Sequence, residues 1–107
     1  MKIALMVLLV LSIYAPSISH AECNKKEAAS IVRSIVDGEA ASREDGGITI
    51  WYTWRGNWSG MSKDQKYKLI QGLSGVEHCL KPGVTTRIRA YGRDVAKGSA
   101  RGVELLD

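Results

Sequence analysis

The sequence predicts an α+β fold in which a small antiparallel sheet of three to four strands carries two helices on one face. Two segments with helical spacing of apolar residues alternate with β-rich runs in the order α-β-α-β-β. Tight turns rather than long crossovers join the last strands, which favours antiparallel pairing. A chain of 107 residues suffices for a single domain of this kind.

The N-terminal segment has the three parts of a secretory signal peptide. Lys2 gives it a positive start, the apolar run 3–13 forms its centre, and Ser19 and Ala21 are the small residues expected before a cleavage site. We therefore expect residues 1–21 to be removed on export.

Two alternatives to a cleaved signal fit the sequence less well. A membrane anchor needs about 20 consecutive apolar residues, and Pro16 interrupts the run before that length. A lipoprotein signal would place a small residue before the modified cysteine, whereas Glu22 precedes Cys23. The expected product is a single α+β domain over residues 22–107, periplasmic or secreted and without a membrane span.

The charge balance is mildly basic. The chain has 15 lysines and arginines against 11 acidic residues, and loss of Lys2 with the signal leaves a net charge of +3. Nucleic-acid and membrane partners usually require a larger, clustered excess. The positive charge is concentrated late in the chain, where six basic residues lie between Lys81 and Arg101 with Asp94 as the one acidic residue.

Cys23 and Cys79 are the two cysteines of the chain, and export would place them where disulfides persist. A reactive thiol or a metal site is the alternative. The chain has no C-x-x-C motif, and His78 beside Cys79 would point about 100° away on a helix, so the two cannot share a metal ion. The pair therefore predicts one structural disulfide.

Residues 24–27 have the form of a helix capping box. The helix that follows is predicted to bury a stripe with spacings of three and four, namely Ala28, Ile31, Val32, Ile35 and Val36. It should end at Asp37 and Gly38. The polar stretch 39–47 is expected to be a solvated loop with at most a short helical turn.

Residues 48–54 are β-branched or aromatic at every position and predict the best strand of the chain. Period-two alternation places four residues on the core side, Ile48, Ile50, Tyr52 and Trp54, and three on the outer side, Thr49, Trp51 and Thr53. The Gly, Asn and Ser residues of the next segment, 55–61, predict a loop that carries Trp58.

A second capping box at 62–65 begins a helix that should run to about Leu80. Its apolar residues follow at helical spacing, and Cys79 lies on or beside the buried stripe, from which a bridge could reach the start of the first helix. A bridge between the two cysteines is geometrically natural in this arrangement.

Lys81, Pro82 and Gly83 end the second helix, and residues 84–91 alternate cleanly. The alternation predicts a strand with Val84, Thr86, Ile88 and Ala90 inward and Thr85, Arg87, Arg89 and Tyr91 outward. Residues 92–94 are expected to form a hairpin turn. The segments 95–98 and 103–106 can then return as short strands.

The two best strands would combine aromatic and basic side chains on one outer surface if they lie side by side. Trp and Arg are enriched in binding hot spots. We therefore predict a protein-binding surface formed by Trp51, Arg87, Arg89 and Tyr91, with Trp58 as a further anchor. The alternatives are a merely solvated sheet face and, for Trp58, an indole that folds back into the core.

Catalysis finds little support in the sequence. His78 is the one histidine after the signal, no G-x-S-x-G motif surrounds Ser59, and Glu44 and Asp45 lie in a polar stretch without an apolar pocket. No phosphate-binding loop or metal motif is present either, so no cofactor is expected.

We therefore expect a small, exported, non-enzymatic domain that binds another protein of the bacterial envelope, such as an inhibitor or immunity protein against an envelope-acting enzyme or toxin. The alternatives are an accessory component of a conjugation or secretion apparatus and, less in keeping with the sequence, a minimal hydrolase. The sequence does not define the oligomeric state.

Overall fold

The computed structural model describes residues 23–107, so the expected signal peptide lies outside the described residues. Two helices and five strands follow one another along this part of the chain, and together they form an α+β fold. In chain order they are α1 Lys25–Asp37, β1 Ala41–Asp45, β2 Thr49–Trp54, α2 Lys63–Leu80, β3 Thr85–Ala90, β4 Arg93–Ser99 and β5 Gly102–Leu105.

Both helices begin at the positions that the sequence predicts. The Asn24 side chain accepts a hydrogen bond from the Glu27 amide at 3.1 Å at the start of α1. At the start of α2, Ser62 and Gln65 form a capping box in which each side chain accepts from the other's backbone N–H. These contacts satisfy amides that lack a partner within the helix.

The core lies between the helices and one face of the sheet. Helix α2 packs on α1 and on β3, β4 and β5, while α1 also contacts β1. Gly98 on β4 allows close approach, because a Cβ at this position would lie only 2.6 Å from the Ser74 Cβ of α2. The largest fully buried apolar side chains include Trp58, Tyr52, Ile35, Ile50, Leu69, Ile70, Leu73 and Ile88.

The sheet is mixed and has the strand order β1-β2-β3-β4-β5. Strands β2 and β3 are parallel, and the other three neighbouring pairs are antiparallel. The predicted α+β class with two helices is confirmed, whereas the sheet has five strands rather than three to four and is mixed rather than antiparallel throughout, because β2 and β3 are parallel. Helix α2 is the reason, since a crossover helix between two neighbouring strands lets them run the same way.

Strand β1 replaces most of the loop that was expected over 39–47. It forms a hairpin with β2, in which Arg43 pairs with Tyr52 and Asp45 with Ile50. Only Ala41 of this strand is buried. The other four residues are polar, as is common in an edge strand, so the sequence shows no alternation that would predict a strand here. Gly47 has a φ of +89°, which the tight turn between the two strands requires.

The predicted inward residues of β3 are all buried, which confirms the alternation there. Ile50 and Tyr52 of β2 are buried as well, whereas Ile48 is 80% exposed because β2 begins one residue after it. Strand β4 contains an irregularity opposite Ile88 and Arg89. As a result the successive residues Val95 and Ala96 are both buried.

The disulfide between Cys23 and Cys79 is formed, with 5.5 Å between the two Cα atoms. It ties the residue before the cap of α1 to the last turn of α2, as the sequence predicts. Within residues 23–107, neither helix has the length and apolar character needed to cross a bilayer.

Candidate functional site

The helices cover one face of the sheet and leave the other uncovered by any helix or strand of residues 23–107. We call the centre of this second surface the open face. It consists of side chains on the three central strands, namely Trp51 on β2, Arg87 and Arg89 on β3, and Asp94 and Lys97 on β4. Its formation follows from the period-two alternation of the strands, which turns alternate residues away from the core.

The strand register brings these side chains together. Trp51 pairs with Arg87, and Arg87 pairs in turn with Lys97 on the other side. Two residues further along β3, on the same face, Arg89 pairs with Asp94. Directly opposite residues on one face have Cβ atoms about 5 Å apart, so the five side chains form one contiguous patch.

A single carboxylate serves both arginines of the open face. Arg87 Nη1 donates to Asp94 Oδ2 at 3.0 Å, and Arg89 Nε donates to Asp94 Oδ1 at 3.2 Å. All three side chains keep between a quarter and two fifths of their surface exposed. Lys97 forms no ion pair within residues 23–107, so Asp94 is shared by the two arginines only.

Trp51 is half-buried at the margin of the arginine pair. The Arg89 guanidinium carbon lies 5.6 Å from the centre of its ring, which is a cation–π contact. The far edge of the ring abuts Gly46, where an added Cβ would come within 2.5 Å of Trp51 Cζ3. The indole N–H is shielded from solvent and has no hydrogen-bond partner in the described residues, an unusual state for a buried donor.

Tyr91 does not join the open face, contrary to the prediction. Strand β3 ends at Ala90, and Tyr91 begins the turn to β4 with a φ of +55°. Its hydroxyl accepts from the Ser59 amide at 3.1 Å and donates to Ser59 Oγ at 3.0 Å. The hydrogen bonds to Ser59 lower the pKa of the exposed phenol.

Trp58 folds back into the core and is only 1% exposed, which confirms the alternative of a core-filling indole and contradicts the projecting anchor. Its indole N–H donates to Asp107 Oδ2 at 2.7 Å, and this hydrogen bond lowers the pKa of Asp107. Lys66 Nζ lies 3.3 Å from the same oxygen and 5.2 Å from the ring centre of Trp58. The indole thus fills the core while its polar atom reaches a carboxylate.

A buried polar cluster that the sequence analysis missed lies on the helix side of the sheet. Glu77 of α2 is 1% exposed and accepts two hydrogen bonds from Arg43, from Nε to Oε2 and from Nη2 to Oε1, both at 2.8 Å. The fully buried Tyr52 hydroxyl also donates to Glu77 Oε2. The carboxylate therefore connects β1, β2 and α2 at one point.

The cluster raises the pKa of both of its donors. The hydrogen bond to Glu77 raises the pKa of the Arg43 guanidinium, which stays charged. Burial raises the pKa of the Tyr52 phenol well above its ordinary value of 10, and the negative charge of Glu77 raises it further. The hydrogen bonds of Glu77 to Arg43 and Tyr52 connect three elements of the fold.

The raised pKa of Tyr52 predicts a loss of stability in alkali. Because the phenol must stay protonated in the folded state, its contribution is complete below pH 10 and falls as the pH rises toward the folded pKa. The free energy of unfolding should drop by about 1.4 kcal/mol for each pH unit above 10. Guanidinium unfolding between pH 8.5 and 11.5 measures this slope.

The Tyr52→Phe variant is the control for that slope. It lacks the buried phenol, so its free energy of unfolding should decline much less over the same pH range. Absorbance at 295 nm provides a second check, since the exposed Tyr91 has a lowered pKa and should ionise before Tyr52, whose pKa is raised. Equal slopes for the two proteins would contradict the assignment.

His78 has a structural position. Its Nδ1 accepts a hydrogen bond from the Gly83 amide at 3.3 Å, just beyond the end of α2. Elsewhere in residues 23–107, no group of three His, Cys, Asp or Glu side chains is arranged to hold a metal ion. Comparisons of the chain with models of protein families, with curated proteins and with solved structures find no match.

Proposed function

We propose that the chain is a small exported, non-enzymatic domain that binds another protein of the bacterial envelope through the open face. The observation that carries this proposal is the composition of that patch, where a tryptophan, two arginines and a lysine lie together on central strands. Trp and Arg dominate the energetics of known interfaces. The patch remains partly solvated, so these groups are accessible to a partner.

The scaffold supports tight binding because the patch is already ordered. Strands β2 and β3 each have a neighbouring strand on both sides. The disulfide links the start of α1 to the last turn of α2, in the helical layer that packs on the sheet. A surface that is rigid before binding loses little conformational entropy when it meets a partner. This favours an inhibitor or immunity protein against an envelope-acting enzyme or toxin as the specific form of the function.

We assign binding to Trp51, Arg87 and Arg89, because Trp51 pairs with Arg87 across the strands and Arg89 contacts the Trp51 ring. Trp58 is excluded because it is buried, and Tyr91 because its hydroxyl contacts Ser59 in the turn beyond β3. The test is affinity capture of the partner from periplasmic extract, followed by binding measurements with purified proteins.

The Trp51→Ala and Arg89→Ala variants should each weaken the complex at least tenfold, as expected for residues at the centre of an interface. Tyr67→Ala and Arg93→Ala are matched controls, since both side chains are exposed outside the open face. Thermal unfolding verifies that each variant is folded. If the Trp51 and Arg89 variants bind as tightly as their controls, the open face is not the binding surface.

A further inference from the structure

The five residues of the open face include three positive charges and one negative charge. Asp94 is shared by Arg87 and Arg89, and the acidic residue opposite Lys97 is Glu104, outside the open face on β5. Arg87 and Lys97 are also direct cross-strand partners. Like charges in this position repel each other and destabilise a sheet. A bound anion between them would relieve that repulsion.

The charge changes sign toward both edges of the sheet. Glu44 on β1 pairs with Trp51, and Glu104 on β5 pairs with Lys97. One cross-strand row thus has acidic ends and a basic centre. A ligand that matches this row carries negative charge only above the two central cations and not above the acidic ends. A single extended segment that runs along β3 has this narrow shape.

We propose that the open face recognises an extended acidic segment of the partner protein, with Asp or Glu carboxylates bound by Arg87, Arg89 and Lys97. This inference rests on the proposed function and specifies the chemistry of the partner. Asp94 shows that a carboxylate fits between the two guanidinium groups, with one N–H donor from each, and charge-assisted hydrogen bonds of this kind are strong. Lys97 supplies a third positive charge that makes no ion pair within residues 23–107, although Glu104 lies across the strands from it.

The same geometry argues against a nucleic acid as the occupant. Proteins that bind single strands stack bases on free aromatic faces, whereas the Trp51 ring has Arg89 over it and Gly46 at its edge. Glu44 and Glu104 would also repel a phosphate chain that crosses the sheet. An extended segment that carries carboxylates along β3 needs no stacking on Trp51 and stays away from Glu44 and Glu104.

The probe for this inference is a peptide of ten glutamates, with a peptide of ten glutamines as its neutral control. Binding is measured by calorimetry with protein recovered from the periplasm after expression of the full chain. We expect the glutamate peptide alone to bind, and its affinity to fall steeply between 50 and 500 mM salt, because surface charge interactions are screened.

Lys97→Gln is the decisive variant, because Lys97 makes no ion pair within the described residues and its loss leaves no group unpaired. It should weaken binding of the glutamate peptide three- to tenfold. Asp94→Asn should strengthen binding several-fold by removing the competing carboxylate. Arg93→Gln, outside the open face, should change the affinity less than twofold.

Three results would overturn the inference: equal losses for Lys97→Gln and Arg93→Gln, a weaker complex for Asp94→Asn in the folded state, or tighter binding of a ten-nucleotide thymidine strand. The proposed function is judged separately. A native partner that requires Trp51 and Arg89 but ignores salt and Lys97 would refute the acidic segment and leave the binding face intact.

Discussion

Replacing Glu77 by alanine is expected to lower the free energy of unfolding by about 3 to 5 kcal/mol, because it leaves a charged guanidinium and a hydroxyl unpaired beside the core. Arg43 keeps a side-chain exposure of 24%, so water can partly solvate it, and the effect should lie toward the lower end. Tyr52 has no exposure at all. Urea unfolding followed by tryptophan fluorescence measures the change.

Glu104→Ala is the matched control for this prediction, because Glu104 is an exposed glutamate of β5 and should change stability by less than about 0.5 kcal/mol. A triple variant, Glu77→Leu with Arg43→Met and Tyr52→Phe, should recover most of the loss, since apolar groups can replace a buried ion pair. A loss below 1 kcal/mol for Glu77→Ala would show that the cluster is not what secures β1.

We expect loss of the Glu77 cluster to alter the open face on the other side of the sheet as well. Arg43 holds β1 to α2, and the turn after β1 carries Gly46, which contacts the edge of the Trp51 ring. Loosening of β1 should therefore release the indole and weaken binding at the open face. If the folded fraction of the Glu77→Ala variant binds the glutamate peptide more weakly than the unaltered protein does, the cluster and the open face are coupled.

Local signals account for the elements that the sequence predicted correctly. Capping residues and helical spacing mark both helices, and alternation marks β3. The grouping of Trp51 with Arg87 and Arg89 followed from two alternating strands placed side by side, and it depended only on their being neighbours. The predicted grouping is therefore observed, although β2 and β3 are parallel rather than antiparallel.

The elements that the sequence did not reveal depend on contacts distant along the chain. Strand β1 is polar because it lies at an edge, so it has the composition of a loop. Glu77 finds Arg43 34 residues away and Tyr52 25 residues away, at distances that no local pattern encodes. One signal was present, since Glu77 follows Leu69 and Leu73 at intervals of four on the buried side of α2. A charged residue there requires a buried partner.

Removing the disulfide is the second change with a large expected effect. The Cys23→Ala and Cys79→Ala double variant should lose about 4 kcal/mol of stability, because the bridge closes a loop of 56 residues in the unfolded chain. Small domains have about 5 to 15 kcal/mol in total, so much of the reserve would disappear. Guanidinium unfolding of the double variant against the oxidised protein measures the loss.

Reduction of the unaltered protein with dithiothreitol provides the control, since it breaks the same bond without removing any side chain, and should give a similar loss. A change below 1 kcal/mol in both experiments would contradict the prediction. The disulfide lies at the ends of the helices, on the opposite side of the sheet from Arg87 and Lys97. At denaturant-free conditions where the variant remains folded, its affinity for the glutamate peptide should therefore equal that of the oxidised protein, which separates the stabilising bridge from the binding surface.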